Sequence, residues 1–236
     1  MNQFAMAFTP EKLEEAWHVF LTEFPLGLWE TVYVTVLSTL FAILLGMPLG
    51  ILLVTGDEKG IRPLPKPLMK VINVVINFLR SVPFLILIVM VIPLTRAIVG
   101  TSIGSVASIV PLVVAAFPFV ARLVESSLRE LDPNIIEMAQ SMGASTMQII
   151  FGVMLPESVP SLINNFTLAI TTILGYTAMS GAMGGGGLGK IAINYGYSRY
   201  KYAVLYLAVI VLVLLVQIFQ SVGTTLATHL DKRIKK

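Results

Sequence analysis

From Ala203 to Val222 the chain runs for 20 residues, AVLYLAVIVLVLLVQIFQSV, without one charged side chain. As a helix rising 1.5 Å per residue, such a stretch covers about 30 Å, the thickness of the hydrocarbon core of a bilayer. Four further stretches meet the same requirement: Leu28–Val54, Phe78–Ile98, Ile103–Val124 and Val159–Met179. The expected fold is therefore all-α, a polytopic membrane protein with five transmembrane helices. Composition agrees, since 56% hydrophobic and 12% charged residues, with a mean hydropathy of +0.86, lie outside the range of a soluble domain of this size.

Charge sets the orientation. With the N-terminus placed outside, eleven of the 16 Lys and Arg, among them Lys59, Arg62, Arg122 and Arg129, fall on inside segments. The outside segments hold Lys12, Arg96, Lys190, Arg199 and Lys201. That is the bias of the positive-inside rule, so the N-terminus is expected outside and the C-terminus inside. The expected organisation is an external segment over 1–27, a membrane domain over 28–230 and a basic cytoplasmic tail over 231–236. The first segment carries Glu11, Glu14, Glu15 and Glu23 against Lys12, the reverse of the cationic start of a secretory signal, so no cleavage is expected. A net charge of +3, scattered along the chain, does not indicate nucleic acid.

Several classes of chemistry are excluded or disfavoured. There is no cysteine, which rules out disulfides, thiolate metal sites and thiol nucleophiles. His18 and His229 fall on opposite sides of the membrane and neither belongs to a ligand pattern, so each reads as a surface residue. No Asp, Glu or Lys lies near a span centre, against a proton or sodium relay built on buried carboxylates. The run Gly184-Gly185-Gly186-Gly187-Leu188-Gly189-Lys190 formally satisfies G-x-x-x-x-G-K. It lacks the preceding strand and the following Ser or Thr of a nucleotide loop, and it faces outside. It reads as a closely packed external loop. No catalytic residue, metal site or cofactor is expected in this chain.

Three features leave alternatives open. Pro83, Pro93, Pro111 and Pro118 fall in or near spans two and three, as irregular helices around a central path or as ordinary kinks in a packed bundle. Leu68–Asn77, after Pro63, Pro65 and Pro67, reads as an interfacial helix or as an extension of span two. The fourth span is the most polar: Asn164, Asn165, Thr167, Thr171, Thr172, Tyr176, Thr177 and Ser180 punctuate it. Its polar residues either line a solute path or bond across helices, and the two roles are compatible. Met179, flexible and apolar at its external end, is a candidate gate.

The segment between spans three and four is the most informative. Asp132 is placed to cap a helix with Pro133 at its first position, Gly143 can end it, and Ser145 with Gln148 has the spacing of a capping box. Glu125, Glu130, Asp132, Glu137 and Glu157 flank this knob, and a carboxylate at mid-bilayer costs roughly 2.5–3.5 kcal/mol, so the knob belongs in water. Its first helix nonetheless presents Ile135, Ala139 and Met142 at i, i+4 and i+7, an apolar stripe expected to need a cover.

Glu137-Met138-Ala139, Gly143-Ala144, Ile150 and Leu155-Pro156 resemble the EAA loop of inner-membrane permeases of binding-protein-dependent ABC importers. Met138 departs from the small residue usual there. The likeness implies that the knob, about 132–156, couples to a separate ATPase through Glu137, Ala139, Met142, Gly143, Ile150, Leu155 and Pro156. Arg80 to Phe84, Val99 to Gly104, Ala115 to Arg122, Gly184 to Gly189 and Tyr195 to Tyr197 are similar to the methionine-importer permeases of that family. The resemblance implies a non-catalytic homodimer in the bacterial inner membrane, with two cytosolic ATPases that hold ATP and magnesium and an external methionine-binding protein. In the path reading of the fourth span, the lining residues are Asn164, Thr171, Thr172 and Tyr176, and Met179 closes the path. Transport of another amino acid or small peptide is the neighbouring reading, and an ATP-independent channel or secondary transporter is a remoter one.

Overall fold

The structure is a computed structural model that describes residues 9–231. The first eight residues of the expected external segment, and all but Asp231 of the expected basic tail, lie outside the described residues.

Among the described residues the chain is all-α. The helices are α1 (Pro10–Thr55), α2 (Lys66–Ser81), α3 (Phe84–Val99), α4 (Ser105–Arg129), α5 (Pro133–Ser141), α6 (Thr146–Ile149), α7 (Leu155–Ala182), α8 (Gly187–Ile191) and α9 (Tyr202–Leu230). One π turn, Ile150–Met154, joins α6 to α7, and another, Ala192–Tyr197, extends α8. Four helical runs are long and apolar enough to cross a membrane, and α2 with α3 makes a fifth when the interrupted pair counts as one span.

Two spans differ from expectation. The first lies within a longer helix: α1 starts at Pro10, upstream of Leu28, and has 46 residues, about 70 Å, so residues 10–27 are helical turns continuous with it. The second is broken at Pro83. Proline has no N–H and pushes the residue before it out of the helical region. Val82 is accordingly extended (φ −74°, ψ 124°), ending α2 at Ser81, and Pro83 precedes the first turn of α3. Leu68–Asn77 thus belongs to a helix of its own. Pro93, Pro111 and Pro118, by contrast, lie inside helices that continue past them.

The chain divides into two compact units, one made of residues up to 39, 83–113 and 170–218, the other of 40–82, 114–169 and 219 onward. In the first, Ala16, Val19 and Phe24 of α1 are buried with Leu188, Ile191, Ala192, Ala203, Val204 and Ala208. Tyr176 stacks on Phe84 with ring centroids 4.5 Å apart, and the Thr35 and Thr177 hydroxyls share a hydrogen bond of 3.2 Å. In the second, Gly46 and Gly50 of α1 form a Gly-x-x-x-Gly face against α4. A Cβ at these positions would lie 2.7 Å from the Phe117 carbonyl oxygen and 2.6 Å from that of Ala121. Lipid is as apolar as leucine, so close backbone packing of this kind, rather than transfer out of water, associates helices in a bilayer. The same argument explains why Ile210, Leu214 and Ile218 of α9 are exposed at 54%, 57% and 57%. Such side chains suit an acyl environment.

Candidate functional site

The knob is built by its caps. The Asp132 carboxylate accepts from the Asn134 amide at 2.9 Å, Pro133 occupies the first turn, and α5 runs to Ser141. Gly143 then adopts φ +79°, and its N–H donates to the Gln140 carbonyl at 2.9 Å while Ala144 N–H reaches the Ala139 carbonyl at 3.1 Å. These are the paired bonds of a Schellman ending, which satisfy carbonyls left over at the helix terminus. Ser145 and Gln148 close the capping box: Ser145 N–H donates to Gln148 Oε1 at 2.8 Å, and Gln148 N–H to Ser145 Oγ at 3.4 Å. The second helix of the knob is not separate. It runs from α6 through the π turn into α7, so the helix that carries the fourth span begins within the knob.

The surface differs from the expected stripe. Ala139 is buried at 8%, Ile135 is half-buried, and Met142 alone of the three is open, at 80% exposure. α5 lies against α6 and the π turn, so the small residue at 139 takes the covered side. Ile150 is buried as well and Leu155 is half-buried, whereas Glu137, Gly143 and Pro156 are exposed. The open apolar surface instead comprises Met138, Met142, Met147 and Phe151. Sequence reasoning noted Met138 only as a departure and passed over Met147 and Phe151, because their register becomes visible only once the turn at Gly143 and the π turn are in place.

Beside the knob, Arg129 bridges two carboxylates, donating from Nη2 to Asp57 Oδ2 at 2.8 Å and from Nε to Glu125 Oε1 at 3.0 Å. Glu125 also accepts from Arg122 Nη1 at 2.6 Å, and Arg122 Nη2 donates to the Asn73 and Asn77 side chains at 2.7 and 2.9 Å. The Arg129 hydrogen bond, then that from the Glu58 amide, holds the Asp57 carboxyl below its ordinary value. Asp57 and Arg129 also line a cleft of about 490 Å³ with Lys59, Pro133, Ile136, Glu137 and Gln140. The pair is separated by 72 residues, so no local spacing announces it.

Along α7 the polar residues divide. Asn165 donates to Ser127 Oγ at 2.7 Å and to the Leu123 carbonyl at 3.2 Å. Thr167 is buried, and Thr177 bonds to Thr35. Tyr176 is committed to its stack on Phe84. Thr171 and Thr172 are half-buried. Asn164 is exposed, and Met179 is 49% exposed. The glycine-rich run after α7 follows a helix and not a strand. Among the described residues no three His, Cys, Asp or Glu side chains are grouped to hold a metal ion.

Residues 42–236 match the family described as "Binding-protein-dependent transport system inner membrane component". The "Probable D-methionine transport system permease protein MetI" of Vibrio cholerae is 46% identical over 205 residues, covering 87% of this chain and 91% of that protein. The "Methionine import system permease protein MetP" of Bacillus subtilis is 44% identical over 168 residues, covering 71% and 76%. Among solved structures, a chain of the inward-facing MetNI methionine ABC transporter superposes with a TM-score of 0.84 at 43% identity, covering 86% of this chain and 94% of that one.

Proposed function

The chain belongs to the binding-protein-dependent transport system inner membrane component family, and from that premise we propose that it is the permease subunit of an ATP-driven methionine importer. Two copies enclose the solute path, two cytosolic ATPase subunits carry ATP and magnesium, and an external binding protein delivers L-methionine and its D-isomer. The assembly sits in the bacterial inner membrane with the N-terminus outside and the knob in the cytosol. No catalytic residue resides in this chain.

The observation that carries the reading is the knob. It combines a Schellman-terminated helix and a capping box, which fix its backbone, with Met138 at 60% and Met142 at 80% exposure among carboxylates. Methionine side chains adapt to a partner's surface, and apolar area left in water is a docking signal. Glu137, Gly143 and Pro156 border that surface. Ala139, Ile150 and Leu155 support it from within, which is a different role from direct contact. To the path we assign Met179 and Asn164, both exposed, and the half-buried Thr171 and Thr172. Tyr176 shapes the wall through Phe84. Met179 closes the outer end, since a dewetted apolar constriction blocks a zwitterion without a charged gate.

The test is uptake of labelled methionine into proteoliposomes holding the permease, its ATPase and the binding protein. Uptake is expected to require both partners and ATP. Uptake without ATP, or of other amino acids in preference to methionine, would overturn the assignment.

A further inference from the structure

We propose that Glu30 is a clasp: its carboxylate fixes the glycine-rich loop after α7 against α1 and so holds in place the helix end that carries Met179. The inference rests on the reading of Met179 as the outer closure.

The loop is bound at three points. Glu30 Oε2 accepts from the Gly187 amide at 2.6 Å. Thr31 Oγ1 accepts from the Leu188 amide at 2.9 Å while donating to the Gly27 carbonyl at 2.8 Å. The Gly184 carbonyl accepts from the Gly104 amide at 2.8 Å. Of the three, only the Glu30 bond is charge-assisted, and such bonds are roughly twice as strong as neutral ones.

The glycines follow from the clasp. Gly184 and Gly187 adopt φ +90° and +77°, which L side chains avoid. A Cβ at Gly186 would run into Ser105 Oγ and the Glu30 carboxylate, and one at Gly187 into Thr31 Oγ1. A run that mimics a phosphate loop in sequence thus serves to let a carboxylate of the same chain approach its backbone.

Past the clasp, the returning backbone lies directly on α7. A Cβ at Gly189 would collide with the Ala178 carbonyl, and one at Gly181 with the Lys190 amide. These contacts fall on either side of Met179. Backbone against backbone leaves no compliant side chain between them, so displacement of the loop displaces the helix end. Glu30 therefore acts on Met179 through Gly187, Gly189 and Lys190, as a positioning residue.

The test uses the permease in complex with its ATPase, comparing Glu30→Ala and Glu30→Gln with the parent. Gln retains an acceptor oxygen without the charge and is expected to rescue in part. In Glu30→Ala, hydrogen exchange of the amides over 184–190 should accelerate roughly tenfold or more, the scale set by loss of one charge-assisted bond. In the same background, a Met179→Cys thiol, unique in a chain without cysteine, should react with an impermeant external reagent about tenfold faster. Unchanged exchange would overturn the clasp, and faster exchange with unchanged labelling would overturn its hold on Met179. Should Glu30→Ala fail to assemble, Glu30→Gln and Thr31→Val are read the same way, with smaller effects expected and no effect refuting. Neither readout requires transport, so absence of methionine uptake by the parent complex would count against the functional assignment alone.

Discussion

Gly143 separates two explanations of a glycine in the loop proposed to couple to the ATPase, backbone conformation and partner proximity. Its φ of +79° is left-handed, and a Cβ added there meets nothing within 4 Å in this chain. Steric collision within the subunit is therefore absent, and the cost of a side chain is conformational. Left-handed geometry costs an L residue roughly 1–2 kcal/mol, asparagine tolerates it better, and a β-branched residue worse. The turn it competes against is held by the two Schellman bonds at 2.9 and 3.1 Å, each worth about 0.5–1.5 kcal/mol net. Gly143→Val should exceed what those bonds can retain and open the turn, Gly143→Ala should weaken it, and Gly143→Asn should leave it formed. With ATPase co-purification and coupled uptake as the assay, the expected order is Gly and Asn together, then Ala, then Val. Wild-type coupling in Gly143→Val would refute the conformational argument. Equal loss in all three variants would instead place the ATPase surface directly on the glycine.

Gly50→Leu forces a side chain onto the Ala121 carbonyl, 2.6 Å from the added Cβ. It should cost at least the roughly 1–3 kcal/mol of ordinary overpacking, seen as a lowered melting temperature in detergent, and an unchanged value would deny the close approach. The lowered pKa of Asp57 means that its pairing with Arg129 stabilises fully above the ordinary carboxylate value and is lost only as pH falls through the lowered one. The difference in melting temperature between Asp57→Asn and the parent should thus be the same at pH 5 and pH 8, and one that shrinks toward pH 5 would contradict the pairing. Met179→Ala should raise ATP hydrolysis in the absence of binding protein several-fold while leaving the fold intact, and an unaltered basal rate would remove Met179 from the closure. Single cysteines at Tyr197 and Met147, both well exposed, should label from outside only and from inside only, and the reverse pattern would invert the topology.

What could be read from the sequence follows from the range of each interaction. The caps of the knob involve residues two to five apart, and Asp132, Pro133, Gly143, Ser145 and Gln148 all take the parts their types and spacing specify. The break at Pro83 was equally local, yet hydropathy ran through it, because an apolar count does not register a missing N–H. Burial on α5 was out of reach for another reason. A stripe at i, i+4 and i+7 shows that one face is apolar and says nothing of which neighbour covers it, and here α6 and the π turn take Ala139 while Met142 stays open. The Asp57–Arg129 pair and the Glu30 clasp join segments 72 and 157 residues apart. No periodicity reaches that far.

Hydropathy also cannot divide an apolar span into lipid-facing and packed sides, since both suit leucine and isoleucine. Small residues can: Gly46 and Gly50 mark the packed side of α1, and Ala208 is buried in α9 while Ile210 is open. On α7 the same division is made by hydrogen bonding. Asn164 and Asn165 are adjacent in sequence and about 100° apart on a helix. Asn165 spends its amide on Ser127 and Leu123, whereas Asn164 is exposed. Packing and solute contact are thus not rival accounts of one polar span. Asn165 and Thr177 bond to neighbouring helices and Thr167 is buried, whereas Asn164 and Met179 are exposed and are the residues that the proposed path takes up.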